Sequence, residues 1–153
     1  GAIAPAGAHR LLAELDVVVA SPHAALGQDR GSATDRLVRA VEHPSVDVLG
    51  HPTGRLIAER EGLSPDIERV AAAAADAGTA LEINADPARL DLRGEFVRVA
   101  VDAGATVAVD TDAHAPGALE YLRYGVHTAR RGWCEPGDLL NTRPAERLRS
   151  FLH

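Results

Sequence analysis

The residues of this chain that could perform chemistry stand at the ends of apolar runs long enough to form β-strands. Four such runs occupy residues 16–20, 46–49, 80–83 and 106–109. The polar residues within them or just after them are His23, His51, Glu82, Asn84, Asp112 and His114. Imidazole and carboxylate groups are the side chains that bind Zn, Mn and Fe in proteins. Because parallel strands bring their carboxyl ends to one edge, the pattern predicts a metal site at that edge.

Two of these loops carry local signals of their own. Asp112 and His114 are two positions apart, and in an extended segment such residues point to the same side. We therefore expect their carboxylate and imidazole to face one metal. His51 stands between Gly50 and Pro52, in a tight turn that would fix the direction of its ring. Sequence alone does not choose between Zn, Mn and Fe as the metal.

Each candidate also has an ordinary structural interpretation. A single histidine after a strand is more often a loop residue or a helix cap, so the metal site rests on the coincidence across three loops. Glu82 would also suit a buried carboxylate paired with an arginine, and Asn84 is a common turn former. Arg55, four residues after His51, would either bind a phosphate through two hydrogen bonds or make a surface ion pair.

Composition limits the fold and the partners. The 153 residues suit one domain, and 46% of them are hydrophobic but only 3% aromatic. The core must therefore be built from Ala, Val, Leu and Ile. The net charge of −6 argues against a strongly basic nucleic-acid groove in this segment, although it leaves room for a contact made through another domain.

Several absences bear on where the protein resides. Its one cysteine, Cys134, rules out an internal disulfide framework and suits a reducing compartment. No run approaches the ~20 apolar residues of a membrane span, and no signal-peptide pattern precedes the first strand. We therefore expect a cytoplasmic protein with no membrane partner. The chain has no methionine and begins at Gly1, so we expect a fragment or a processed product.

Helical patterns alternate with the strand runs. They cover residues 9–14, 35–42, 65–77, 95–103, 118–124, 126–131 and 145–152. Their predicted N-caps are Ser32 or Thr34, Ser64 and Thr142. Gly78 and Gly104 are predicted to end the helices that precede them. The resulting order β-α-β-α-β-α-β-α predicts an α/β fold with parallel strands, either a small open sheet or about half of a barrel.

Six stretches of the sequence carry a resemblance to a known family: DVVVASPH, HPSVDVLGHPTGRLI, ALEINADPARLDL, VDTDAH, GVHTARRGW and LLNT. They resemble the PHP (polymerase and histidinol phosphatase) superfamily. The chain looks most like the C-terminal PHP domain of bacterial family X DNA polymerases and their stand-alone relatives. The resemblance runs over residues 11–152, nearly the whole chain, and several of its stretches are long enough to be specific.

This resemblance implies a distorted (β/α)7 barrel with a three-metal centre at the carboxyl ends of its strands. It also implies hydrolysis of phosphoesters, as a Mn-dependent 3′–5′ exonuclease with related 3′-phosphatase and abasic-site activities. By motif match, the metal ligands would be His23, His51, Asp112 and His114. Glu82 and Asn84 match a motif that lines the site, and Arg55 matches a position near the substrate pocket. We therefore expect these three residues to take part in catalysis.

One part of the family pattern is missing. The family barrel opens with an H-x-H motif on its first strand, and no H-x-H occurs in this sequence. We therefore expect residues 1–153 to be a fragment of a single PHP-type domain, about half of the barrel, without its N-terminal part. A site for up to three divalent metals (Mn, Zn or Fe) would then be incomplete, and the activity of the chain alone weak. The expected partners are a phosphoester substrate and, through a parent polymerase, DNA 3′ ends.

Two other functions stay open at this point. One is a stand-alone PHP phosphatase that acts on small phosphoesters. The other is a non-catalytic structural remnant, in which the His and Asp residues only cap loops. Upstream sequence would separate the polymerase from the phosphatase, and metal content would separate the remnant from both.

Overall fold

The structure, a computed structural model, describes residues 11–152 and is built around a parallel β-sheet. Within these residues the strands are β1 (Val19–Ala20), β2 (Val48–Leu49), β3 (Ala80–Asn84) and β4 (Val107–Asp110). They lie side by side in the order β1-β2-β3-β4, and each neighbouring pair is parallel. The predicted α/β fold with parallel strands is therefore confirmed, while the barrel stays a prediction.

Helices separate the strands, as predicted. They are α1 (Arg30–Val41), α2 (Ile67–Ala77), α3 (Gly94–Asp102), α4 (Leu122–Arg131) and α5 (Ala145–Arg149), with 3-10 turns at Pro116–Tyr121, Pro136–Asp138 and Leu140–Thr142. The predicted helix over residues 9–14 begins outside the described residues. None of the helices described is both long and apolar enough to cross a membrane.

Helix α1 starts five residues before its predicted beginning, because Asp29 caps it. The Asp29 carboxylate accepts the N–H of Ser32 at 3.0 Å and its hydroxyl at 2.6 Å. The predicted caps, Ser32 and Thr34, are therefore wrong. Thr34 is buried inside the helix, and its hydroxyl donates to the Arg30 carbonyl at 2.6 Å.

Helix α2 differs from its prediction at the start and agrees with it at the end. Asp66, rather than Ser64, is the N-cap, and its carboxylate accepts the N–H of Arg69 at 3.3 Å. The N–H of Asp66 itself donates to Thr34 Oγ1 at 2.8 Å, so a tertiary contact with α1 fixes where this helix begins. Gly78 ends the helix with φ of 75°, a left-handed conformation that favours glycine.

The last helix, α5, is shorter than predicted and lacks the predicted cap. It ends at Arg149 instead of extending to 152. The hydroxyl of Thr142 does not cap it, since it donates to the carbonyls of Pro136 and Leu139, the latter at 2.9 Å. The side chain of Thr142 therefore stabilises the 3-10 turns that precede the helix.

The two faces of the sheet differ in chemistry. One face packs against the helices and contains the main core, with Leu81, Ile83 and Val107 almost fully buried. The other face is apolar at the strand starts, where Val48, Ala80 and Ala108 pack against Leu140, Leu148 and Phe151. Towards the strand ends the same face turns polar. This change places polar groups at the carboxyl edge that was predicted to carry the site.

The outer edge of β4 is partly closed by a side chain. Asn141 accepts the N–H of Val109 through Oδ1 at 2.7 Å and donates to its carbonyl through Nδ2 at 2.9 Å. Leu139 forms an isolated parallel bridge with Val107 on the same edge. The amide of Asn141 therefore takes the place of a neighbouring strand at this point.

Candidate functional site

The His51 loop (residues 50–55) leaves β2 in a tight turn that has little room for a side chain at its first residue. A Cβ atom at Gly50 would lie 2.8 Å from Val19 Cγ1, closer than such atoms approach each other. His51 then adopts a φ of 26°, and the N–H of Gly54 donates to the His51 carbonyl at 2.8 Å. The turn predicted from the neighbours of His51 is therefore present.

The ring of His51 is buried at this edge of the sheet. Only 4% of the residue is exposed, and its backbone N–H donates to Glu82 Oε2. The exposed ring of His23 meets it edge-on, with the ring centroids 5.0 Å apart. Within the described residues the buried Nδ1 atom has no hydrogen-bond partner. Burial first, and the charge of Arg89 second, lower the pKa of His51, which favours the neutral ring that metals bind.

Glu82, Asn84 and Asp110 line one face of the sheet at its carboxyl edge. Alternate residues of a strand share a face, and Asn84 is in register with Asp110 on the next strand. Burial first, and then the hydrogen bond and charge of Asp110, raise the pKa of Glu82 to about 9. A charged carboxylate that is largely out of water and next to another carboxyl group is costly, so Glu82 favours its protonated form at neutral pH.

The Asp112 loop (residues 110–114) reaches the same edge in a different conformation from the one expected. Asp112 has φ of 49°, so the segment is not extended as the spacing suggested. The N–H of Asp112 donates to Asp110 Oδ1 at 3.0 Å, and His114 Nδ1 donates to the Asp112 carbonyl at 2.6 Å. Because a carbonyl only accepts, the proton lies on Nδ1 and the lone pair on Nε2 of His114. That nitrogen is the one suited to a metal.

An arginine that the sequence did not single out lies beside this loop. Arg89 Nε is 3.7 Å from Asp112 Oδ2, which also accepts from Asn84 Nδ2 at 3.3 Å. In the described part of the chain, Arg89 Nη1 is buried with no hydrogen-bond partner. Arg89 therefore pairs with Asp112. The alternative interpretation of Glu82, as a buried carboxylate paired with an arginine, had placed an arginine beside Glu82 instead. No local pattern distinguishes Arg89 from the other arginines, apart from its place in ALEINADPARLDL.

Arg55 makes contacts that neither interpretation of it anticipated. Its Nε donates to the Arg89 carbonyl at 2.7 Å, and its Nη2 donates to the Leu90 carbonyl. The guanidinium is half-buried, and these bonds tie the His51 loop to the segment that follows β3. The expected part of Arg55 in catalysis stays a prediction.

The predicted ligands come to one edge of the sheet without forming a complete metal site. Between residues 11 and 152, no three His, Cys, Asp or Glu side chains lie close enough together to hold a metal ion. The donor types suit Zn, Mn or Fe, and His51 offers a buried nitrogen. The Asp112 carboxylate, however, already accepts from Asn84 and faces Arg89. The described residues therefore fit only part of a metal site.

Cys134 takes no part in this edge. It is half-buried, and burial raises the pKa of its thiol to about 11, so the unreactive thiol form prevails at neutral pH.

Comparison with known proteins relates the chain to a DNA polymerase/3′-5′ exonuclease and to probable phosphatases. No protein-family model matches it. It is 42% identical to the DNA polymerase/3′-5′ exonuclease PolX of Bacillus subtilis (strain 168) over 142 residues, which are 93% of this chain and 25% of that protein. It is 31% identical to a probable phosphatase of Shewanella sp. (strain ANA-3) over 116 residues, 71% of this chain and 44% of that protein.

A third relative comes from a different bacterium. The chain is 34% identical to a probable phosphatase of Caldanaerobacter subterraneus subsp. tengcongensis over 114 residues, 69% of this chain and 42% of that protein. The chain thus spans about a quarter of the polymerase and less than half of each phosphatase. These similarities support the relationship to family X polymerases and phosphatases that the sequence motifs indicated.

Proposed function

We propose, because the chain is related to PolX and to probable phosphatases, that it supplies part of a metal-dependent phosphoesterase site. The parent protein would be a cytoplasmic bacterial family X DNA polymerase, and the activity a 3′–5′ exonuclease with 3′-phosphatase action. The observation that carries this proposal is the buried Nδ1 of His51, which has no hydrogen-bond partner among residues 11–152, at the carboxyl edge of a parallel sheet. Active sites of parallel α/β folds lie at this edge.

We further propose that the sheet is about half of a distorted (β/α)7 PHP barrel. Val19 of β1 is in register with Val48, on the face that carries the polar strand ends. Yet Val17 is 47% exposed and Val19 is 51% exposed. Apolar side chains on the inner face of a barrel are normally covered, so their exposure supports further strands in the complete domain.

The candidate metal ligands are the four residues at this edge, His23, His51, Asp112 and His114. Bound divalent metals would supply the activated water and the positive charge that phosphoester hydrolysis needs. Because the described residues do not assemble three ligands, further ligands would come from outside them. For this reason we expect the chain alone to have weak activity or none.

The neighbouring side chains have positioning tasks in this proposal. Glu82 accepts the backbone N–H of His51 and so fixes the loop that carries the ring. Asn84 donates to Asp112 and holds its carboxylate near the sheet. Arg55 is placed near the substrate pocket only by the family resemblance, since its described contacts are with backbone carbonyls.

The test uses the natural polypeptide that carries this sequence. It should release nucleotides from a 3′-recessed DNA in the presence of Mn²⁺, and EDTA should abolish the release. His51→Ala and Asp112→Ala should each lower the rate at least about 100-fold, since loss of groups at a metal site has effects of this size. His127→Ala, on the exposed side of α4, is the matched control and should retain the rate. Unchanged rates in His51→Ala or Asp112→Ala would falsify the assignment.

A second function is a stand-alone phosphatase that acts on small phosphoesters. The observation in its favour is the similarity to two probable phosphatases, of which the chain spans 44% and 42%. Rates on a chromogenic phosphomonoester and on 3′-recessed DNA distinguish the two functions. Preference for the small ester, with no release from DNA, would favour the phosphatase.

The structural-remnant alternative is separated by metal content. The incomplete ligand set among the described residues keeps this alternative open. Elemental analysis of the natural polypeptide should find bound Mn, Zn or Fe, and a metal-free protein would support the remnant. Several tightly held metals in the isolated 153-residue chain would instead contradict the proposal that its site is incomplete.

A further inference from the structure

A buried carboxylate outside the predicted set holds the His51 loop. Asp91 has no exposed surface, and its Oδ2 atom accepts three hydrogen bonds. The donors are the N–H of Thr53 at 3.0 Å, the hydroxyl of Thr53 at 2.9 Å and the N–H of Gly54 at 2.9 Å. Asp91 therefore satisfies two successive backbone donors of a loop that lies 37 and 38 positions away in the chain.

The same two segments are joined by bonds in the opposite direction. Arg55, next to Gly54, donates to the carbonyls of Arg89 and Leu90, which precede Asp91. Each segment therefore gives donors to the other, and neither can shift without breaking several bonds. We call this set of contacts between residues 53–55 and residues 89–91 the clasp.

Each of the two segments in the clasp is connected to a residue of the candidate site. Thr53 follows His51 by two residues, and the Gly54 N–H that Asp91 accepts also donates to the His51 carbonyl at 2.8 Å. On the other side, Arg89 is two residues before Asp91 and reaches Asp112 at 3.7 Å. The position of the His51 ring relative to Arg89 therefore depends on the clasp.

Packing alone does not explain a carboxylate at this position. Oδ1 of Asp91 is buried and has no hydrogen-bond partner in the described part of the chain. Burial raises the pKa of Asp91, while the bonds from Thr53 and Gly54 and the charge of Arg55 oppose this shift. Burying an oxygen without a partner is unfavourable, so a gain elsewhere must offset it. The gain available here is a fixed His51 loop.

We propose that Asp91 is a positioning residue that holds the His51 loop and residues 89–91 in one arrangement, and so places the His51 ring at the carboxyl edge of the sheet. The consequence for catalysis rests on the proposed function, whereas the placement itself does not. The hydrogen bonds described for Asp91 go to Thr53 and Gly54, so its effect reaches the His51 ring through these two residues.

The placement is tested on the 153-residue chain by NMR, which needs no enzymatic activity. Asp91→Ala should move the ring nitrogen signals of His51 and remove the exchange protection of the Thr53 and Gly54 amides. The milder Thr53→Val removes one of the three bonds to Asp91, together with the long 3.4 Å bond from the Arg55 N–H to the same hydroxyl, and should move the same signals less. Thr53→Val still tests the proposal if Asp91→Ala fails to fold.

The matched control is Thr79→Val, which separates positioning from lost stability. The Thr79 hydroxyl is buried and donates to the Val41 carbonyl at 2.6 Å, far from the clasp in the chain. This variant should lower the unfolding midpoint yet leave the His51 ring signals unchanged. If Thr53→Val and Thr79→Val leave the His51 signals equally unmoved, Asp91 contributes only to stability and the proposal is overturned.

The catalytic consequence is measured separately in the natural polypeptide. Thr53→Val should lower kcat about tenfold with KM changed less than about twofold, because small displacements of reacting groups affect mainly the chemical step. If the ring signals move but His51→Ala is fully active, the proposed function fails and the positioning stands. If the ring signals stay unmoved while His51→Ala is inactive, the positioning fails and the function stands.

Discussion

The His51 loop and the Asp112 loop lie at the same edge of the sheet but are held in different ways. The first is buried and is fixed through its backbone, by Glu82 at one end and by Asp91 at the other. The second is partly exposed, and its key carboxylate is restrained by side-chain contacts with Asn84 at 3.3 Å and Arg89 at 3.7 Å. The His51 loop is thus held by more buried hydrogen bonds than the Asp112 loop, and we expect it to be the more rigid of the two.

The largest effect is expected at the start of the rigid loop. In Gly50→Ala, the new methyl group would collide with Val19 and Ser21, and we expect a loss of about 3 kcal/mol in the free energy of unfolding. Urea denaturation measures this loss. Gly27→Ala is the control, because a Cβ there meets nothing within 4 Å, and it should change stability by less than about 0.5 kcal/mol. Equal urea midpoints for Gly50→Ala and Gly27→Ala would show that the His51 loop accommodates the added methyl group without loss of stability.

The next effect concerns the side chain that links the rigid strand to the Asp112 loop. Asn84 is fully buried and accepts the N–H of Asp86 at 3.0 Å as well as donating to Asp112. Asn84→Ala should cost about 2 kcal/mol in the free energy of unfolding, because buried polar groups lose their partners. The exposed Asn141→Ala also loses two bonds and should cost about 1 kcal/mol. If Asn141→Ala lowered the free energy of unfolding more than Asn84→Ala, burial would not decide how much each amide contributes to stability.

A smaller effect is expected for the ion pair of the Asp112 loop. The side chains of Arg89 and Asp112 are 17% and 32% exposed, so solvent screens part of their attraction. Arg89→Ala should therefore lower the free energy of unfolding by about 1 kcal/mol or less. A loss several times larger in urea denaturation would show that this loop is as firmly held as the His51 loop.

The smallest effect on stability is expected at His114. Its ring is exposed and makes one described hydrogen bond, to the Asp112 carbonyl. His114→Ala should change the free energy of unfolding by less than about 0.5 kcal/mol. In the natural polypeptide the same variant should lose at least about 100-fold of the proposed metal-dependent activity. His127→Ala, which is also exposed, should lose neither, and a His114→Ala enzyme with full activity would remove His114 from the ligand set.

Much of the fold could be predicted because short-range signals decide it. Continuous apolar runs and the helical patterns between them were enough for the alternation of strands and helices and for the parallel sheet. Gly78 and Gly104 follow their helices with φ of 75° and 81°, as predicted, because glycine alone adopts this conformation without strain. Helix starts were less predictable, since several polar residues compete for each cap. Asp29 and Asp66 were found at caps where serine or threonine had been expected.

The candidate site was predictable in its location and less so in its contacts. Residues that end parallel strands must meet at one edge, so His51, Glu82 and Asp112 could be placed there from the sequence. Arg89 and Asp91 could not, because their importance comes from partners that are distant in the chain. Nothing near Asp91 in the sequence indicates that it accepts bonds from a loop 38 positions away.

The sequence by itself determined which residue types stand at the strand ends. An apolar run marks the length of a strand locally, so the polar residues that follow it can be read directly from the sequence. Its motifs also indicated the relationship to family X DNA polymerases and to phosphatases. Only the tertiary structure decided how each candidate is held. The backbone of the His51 loop is bound by Glu82 and Asp91, and the carboxylate of Asp112 is contacted by Asn84 and Arg89. Hydrogen bonds and charges between segments far apart in the chain set these environments, and local patterns in a sequence do not record them.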